Sequence, residues 1–168
     1  MESQLAAPRL SEAAQAYQRK MTKPLVFWFA MLLKLPSAIF WRLKIEKLDS
    51  ESCEVSIPYS WRTQNPFRSI YFAALAGAAE LSTGALGQLS LAGRGAFSML
   101  VVDFRAEYFK KANAKITFSC NQGVELFDLI ESLEPGQTGK LTIVSTGKNP
   151  SGETVAKFYV TWSFKRKA

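Results

Sequence analysis

The sequence predicts an α+β domain: a one-sided antiparallel sheet covering one long apolar helix, with a helical addition at the N-terminus. Three observations carry this. The stretch NPFRSIYFAALAGAAELSTG, residues 65–84, leaves small side chains on every face through Ala73, Ala74, Ala76, Gly77, Ala78 and Ala79. A helix without a charged or bulky face is surrounded by other structure and approached closely. Around it lie segments of period two, a pair before and four after, as in a sheet with one wet face. Residues 9–22 space Leu10, Ala13, Ala14, Tyr17 and Met21 along one helical stripe.

Pro24 interrupts that first stripe. The run from Pro24 to Leu43 is apolar and about as long as a membrane span, but Lys34 and Pro36 stand near its middle. A helix packed over the core or a dimer groove is the better expectation, and a membrane-surface contact is the less favoured one. From Arg42 the period changes. Leu43, Ile45 and Lys47 alternate with Lys44, Glu46 and Leu48, then Asp49 and Ser50 make a turn. Cys53, Val55, Ile57 and Tyr59 complete a hairpin.

The central helix is expected to start at Asn65, as N-cap, with Pro66 in the first turn and Ser69 as a further capping oxygen. The stretch from Gly84 to Gly95 reads as its end and a glycine-rich link. Four strands follow, marked by Val102–Phe104–Ala106–Tyr108, Ile116–Phe118–Cys120, Leu141–Ile143–Ser145 and Ala156–Phe158–Val160–Trp162–Phe164.

Composition narrows the chemistry. The 168 residues suit one domain with a sizeable core, and 48% hydrophobic content fits a globular chain. There is no histidine, which removes imidazole bases, imidazole ligands and every Ser-His or Cys-His arrangement. Cys53 and Cys120 lack CxxC spacing and read as reduced core residues of a cytoplasmic protein. The first twenty residues carry no apolar stretch of a secretory signal. A net charge of +7 suits a solvated basic surface or an anionic ligand, and no motif adds support for nucleic acid. Glu80 is the only carboxylate between Arg68 and Arg94, set among alanines and leucines. A charge in such surroundings needs an explanation.

The residues NPFRSIYFAALAGAAELSTG, YFKKA and VTWSFKRK resemble the hotdog-fold DUF4442 group, beside the PaaI-like acyl-CoA thioesterases, over roughly residues 41–165. The resemblance implies a curved antiparallel sheet wrapped around the central helix, with residues 1–40 as a helical extension on a single hotdog domain of residues 41–168. The PaaI-like pattern is an Asn, a His-Gly-Gly six residues on, and an acid nine residues after the His. Here those places are Asn65, Tyr71-Phe72-Ala73 and Glu80. Spacing is kept, but the histidine and both glycines are replaced.

The family's Ser or Thr on the next strand falls at Ser98 counted from Glu80, or at Val101 counted back from YFKKA. The resemblance implies a homodimer, with a tetramer as an extension, and thioester pockets between its paired helices. Glu80 would activate water, while the backbone near Phe72 and Ala73 and the Asn65 amide would hold the carbonyl oxygen. Arg105, Lys110, Lys111 and Lys148 are candidates for the CoA phosphates. No cofactor is called for beyond CoA as part of the substrate, and no metal.

Each residue also has a purely structural reading: Asn65 as a cap, Tyr71 as an interfacial aromatic, Glu80 as an acid paired with Asn65 or a tyrosine, Ser98 as a strand residue. Two further functions compete with the thioesterase. One is an acyl- or lipid-binding protein without turnover. The other is a dehydratase or isomerase, which the missing histidine opposes.

Overall fold

A computed structural model describes residues 8–168. The reading of the first twenty residues rests partly on residues 1–7, which lie outside the described residues. Helix α1, Glu12–Thr22, is capped by Ser11, whose Oγ accepts from the Ala14 amide at 3.2 Å, and it buries Ala14 and Met21. The apolar run that follows divides into α2, Pro24–Lys34, and α3, Pro36–Phe40. Pro36 is the reason: it lacks an N–H and crowds the residue before it, so the helix stops at Leu35. None of the described helices is long and apolar enough to cross a membrane.

Strands β1, Lys44–Leu48, and β2, Cys53–Ile57, form the hairpin. A register shift between Ile45 and Lys47 turns Leu48 into the core, off the polar face where strict alternation would leave it. Asp49 closes the turn by accepting from the amides of Glu51 and Ser52 at 2.9 and 2.8 Å.

The central helix, α4, spans Phe72–Leu91. Its N-cap, Tyr71, falls six residues later than expected, and it ends seven residues later. Residues 65–70 are a turn, held by Asn65 Oδ1 and by Arg68 in a left-handed conformation at φ 59. Asn65 therefore caps this turn, not α4. Gly84 and Gly87 lie inside the helix and let neighbours approach: a β-carbon would meet Trp162 at 3.2 Å and Met99 at 2.6 Å respectively. Only a short segment from Ala92 to Ala96 links α4 to the sheet.

Strands β3, Phe97–Tyr108, β4, Ile116–Cys120, β5, Thr138–Lys148, and β6, Thr154–Arg166, complete an antiparallel sheet of order β1-β2-β4-β5-β6-β3. Helix α5, Gly123–Ser132, lies between β4 and β5, where no helix was expected. Its stripe of Leu126, Phe127 and Ile130 is buried. In β3 a register shift between Val101 and Asp103 reverses the alternation. Met99 and Val101 face Phe164 and Trp162 before it, and Phe104 and Tyr108 face the Phe158 ring after it.

Between helix and sheet lies one core built on Phe118, Phe158, Phe164, Leu86 and Leu89. Ser82 and Ser145 share a buried hydrogen bond at 2.7 Å that ties α4 to β5. Trp162 Nε1 donates to Thr83 Oγ1 at 3.0 Å, tying α4 to β6. Cys53 and Cys120 are free, buried and opposite each other across β2 and β4. Burial pushes both thiols up, Cys120 to about 11, which leaves them protonated.

Candidate active site

Two hollows open on α4. The first, about 620 Å³, lies at its N-terminus between the Asn65 turn and the strand end Tyr108–Ala112. Chain reversal brings these together: the Ile70 amide donates to Ala112 O at 2.7 Å, and the Tyr71 amide to Thr63 O at 2.6 Å. Asn65 Oδ1 is occupied by the amides of Phe67 and Ser69 and by Ser69 Oγ, at 3.0 to 3.2 Å. Its Nδ2 has one long contact, 3.5 Å to Ile70 O, and retains donor capacity toward the hollow.

Tyr71 is the N-cap of α4 and offers no side-chain cap. The first N–H groups of a helix lack intrahelical acceptors, and those of Phe72 and Ala73 find none among the described residues. Helix start and Asn65 amide thus supply donors and a partial positive charge on one side of an apolar space.

The second hollow, about 330 Å³, holds Glu80 two turns further along α4, with Met99, Trp162, Tyr17 and Lys34 around it. The Glu80 carboxylate makes no hydrogen bond or ion pair among the described residues, so it is not paired with Asn65 or a tyrosine. Burial raises its pKa above the ordinary value of 4.5. Lys34 lines the same hollow without an ion pair to it.

The remaining candidates divide. Asn65, Tyr71, Phe72, Lys110 and Lys111 share the first hollow, with Ala73 half-buried just behind its rim. Lys110 pairs with Glu153, and Lys111 Nζ reaches Phe67 O at 3.4 Å. Arg105 lines neither hollow; it pairs with Glu107 at 2.8 Å and lies 4.0 Å from the Tyr159 ring centre. Lys148 ends β5 at the surface, away from both hollows. Ser98 is exposed, and because its neighbour Met99 faces α4 it points to the other side of the sheet. Val101 is on the helix side, opposite Trp162.

Sequence reasoning missed Tyr108 and Phe109 in the first hollow and Met99, Trp162 and Lys34 in the second. A signal for the first pair was available, since Tyr108 and Phe109 open the YFKKA stretch.

A sheet wrapped around a central helix in this order is the hotdog fold. Residues 25–164 match the family described as a domain of unknown function, DUF4442, and the chain belongs to that family. Among solved structures, a Pseudomonas aeruginosa protein of unknown function, described as a probable thioesterase, is 16% identical with a TM-score of 0.74. That match covers 94% of this chain and 99% of the other. A protein of unknown function from Chlorobaculum tepidum TLS is 16% identical at a TM-score of 0.72, covering 89% and 99%. A Haemophilus influenzae thioesterase is 14% identical at 0.64, covering 82% and 88%. No curated protein matches the sequence. At these identities the structural likeness is one of fold.

Proposed function

We propose that the chain is a cytoplasmic, homodimeric acyl-CoA thioesterase in which Glu80 is the general base. One observation carries this: a carboxylate without a structural partner, desolvated in an apolar hollow on α4. No hydrogen bond or ion pair accounts for its position, and desolvation moves its pKa toward the range useful for taking a proton from water.

Within one chain Glu80 is about 12 Å along the helix axis from the donors at Phe72, at 1.5 Å per residue. The two cannot serve one carbonyl. A second chain with its α4 antiparallel to the first brings the Glu80 of one to the Asn65 end of the other, as the family resemblance implies. There Glu80 takes a proton from water, and the oxygen attacks the thioester carbon. The N–H groups of Phe72 and Ala73 and the Asn65 amide stabilise the oxyanion. Collapse expels the CoA thiolate, which recovers the proton from Glu80 and leaves a free acid. Lys110 and Lys111 stand at the mouth for CoA phosphates, and Lys110 exchanges Glu153 for the ligand.

A second reading, acyl binding without turnover, is favoured by Tyr71 and Phe72. Their rings meet edge-on at 4.9 Å where the related enzymes carry histidine and glycine. Free-thiol release from short, medium, long and aryl acyl-CoAs separates the readings. The wild type should cleave at least one, and Glu80→Gln should lower kcat by roughly 10²- to 10⁴-fold, the range general-base catalysis supplies. Full turnover by Glu80→Gln sinks the base assignment. Binding without cleavage by the wild type establishes the second reading.

A further inference from the structure

Helix α2 has two apolar faces, and the domain uses one. Phe27 and Met31 are buried. Leu25, Phe29 and Leu33 are 76%, 65% and 89% exposed. Residues four apart share a helix face, so these three form one ridge turned away from the core. Phe40 of α3 and Trp61 continue it, their rings edge-on at 6.1 Å, and Trp28 joins it against Phe29 at 5.0 Å.

The chain around this patch is predominantly cationic. From Ala13 to Ile45 the sequence has no Asp or Glu, while Arg19, Lys20, Lys23, Lys34, Arg42 and Lys44 all fall within that span. Beside the ridge lies a hollow of about 490 Å³, with apolar walls from Trp28 and Leu43 and three cations, Arg42, Arg62 and Lys44, the last paired with Glu46. Arg62 stacks near the Trp61 and Phe40 rings at 5.1 and 5.9 Å. Its Nε is the one buried side-chain nitrogen or oxygen without a hydrogen-bond partner among the described residues. Such an orphan is costly in a folded protein and calls for an acceptor. Arg42 adopts φ 56, a conformation that favours glycine, so a strained backbone holds a cation at this rim.

We infer that the α2–α3 face docks on an anionic lipid surface, with the Arg42–Arg62 hollow receiving a headgroup phosphate. Charge chooses this occupant over a second copy. A twofold self-contact would set Arg42 and Arg62, which have no ion pair among the described residues, against their own copies, a repulsive arrangement. Anionic lipid neutralises them and supplies the acceptor that Arg62 Nε lacks. Trp28 and Trp61 stand where apolar ridge meets charged rim, the position tryptophan favours at a lipid–water boundary. With 11 residues, α2 lies in the interface and does not cross it.

The inference is independent of hydrolysis and is tested without substrate. The full chain is sedimented with vesicles of phosphatidylcholine alone, or mixed in equal parts with phosphatidylglycerol, at low and high salt. Binding should appear with the anionic vesicles, weaken with salt, and blue-shift tryptophan emission. Arg62→Gln should lower the partition coefficient about fivefold, as for one charge near such a surface. Phe29→Glu with Leu33→Glu should abolish it while thermal unfolding stays as in the wild type. Leu33→Glu alone, at the most exposed position, serves if the pair misfolds. Equal binding to neutral vesicles, no binding to either, or full binding by the Leu33→Glu variants overturns the inference. So does loss of a wild-type dimer in those variants, which would assign the face to a second copy.

Discussion

At Glu80 two demands oppose each other: water stabilises the charged carboxylate, and the walls of Met99, Trp162 and Leu81 keep part of that water away. The protonated form gains, and the pKa rises above 4.5. An acid raised in this way binds its proton more tightly folded than unfolded. Its contribution to stability is fully present below the unfolded value near 4.5 and is lost as pH rises through the folded one. Glutamine does not titrate, so the wild type minus Glu80→Gln difference in unfolding free energy should fall as pH rises above 4.5. On the proposed mechanism the same ionisation would switch on the base. Activity should therefore climb with pH along a limb whose midpoint lies above 4.5, and that limb should vanish in Glu80→Gln. A flat stability difference across this range would place Glu80 in water.

At the scale of elements, α5 is fixed by contact with the β1–β2 turn. The Gly123 amide donates to Glu51 O at 2.9 Å, and a β-carbon there would sit 2.1 Å from Ser50 O. Backbone cannot step aside as a side chain can. Gly123→Ala should cost about 3 kcal/mol, the upper end of ordinary overpacking. Gly87→Ala clashes with the flexible end of Met99 and touches Phe164 only at ordinary contact distance, so it should cost about 1 kcal/mol, chiefly in repacking. Urea unfolding of both variants checks the ranking, and equal losses would refute it. This contact also shows why α5 was illegible. What seats Gly123 is a turn about seventy residues earlier, and a short stripe of Leu126, Phe127 and Ile130 gives little local signal beside it. The strands were legible because β4, and β6 from Ala156 onward, bury every second residue. The existence of α4 was legible from its small residues, but its start was not. Asn65–Pro66 gives a helix-cap signal that a turn held by Asn65 Oδ1 gives equally well. The sequence named candidate residues for the site but not their geometry. Spacing singled out Asn65 and Glu80, while their division between two hollows depends on the rise of α4 and on β3 returning Tyr108–Ala112 to the turn.

The whole molecule has two sheet edges of different character. Edge strand β1 is short, with five residues, a bulge, and the charges of Lys44, Glu46 and Lys47. Those are ordinary protections against further pairing. Edge strand β3 has 12 residues and leaves Leu100, Val102, Phe104 and Tyr108 exposed. On α4, Ala73 and Ala76 are half-buried and small enough for another helix to come close, while Gly77 and Gly84 are already covered by Trp41 and Trp162 of the same chain. A second copy pairing β3 to β3 would cover both features in one symmetric contact and continue the sheet across the dimer. In the proposed dimer that contact would also have to close the 12 Å gap between Glu80 and the Phe72 donors, so assembly and activity should fail together. Ala76→Arg sets a long charged side chain on α4, at a half-buried position outside the proposed chemistry. Sedimentation at micromolar concentration should give twice the mass of the 168-residue chain for the wild type, and one chain mass for a folded but inactive Ala76→Arg. A wild-type monomer that cleaves acyl-CoA would show that one chain suffices, and the shared site would be wrong.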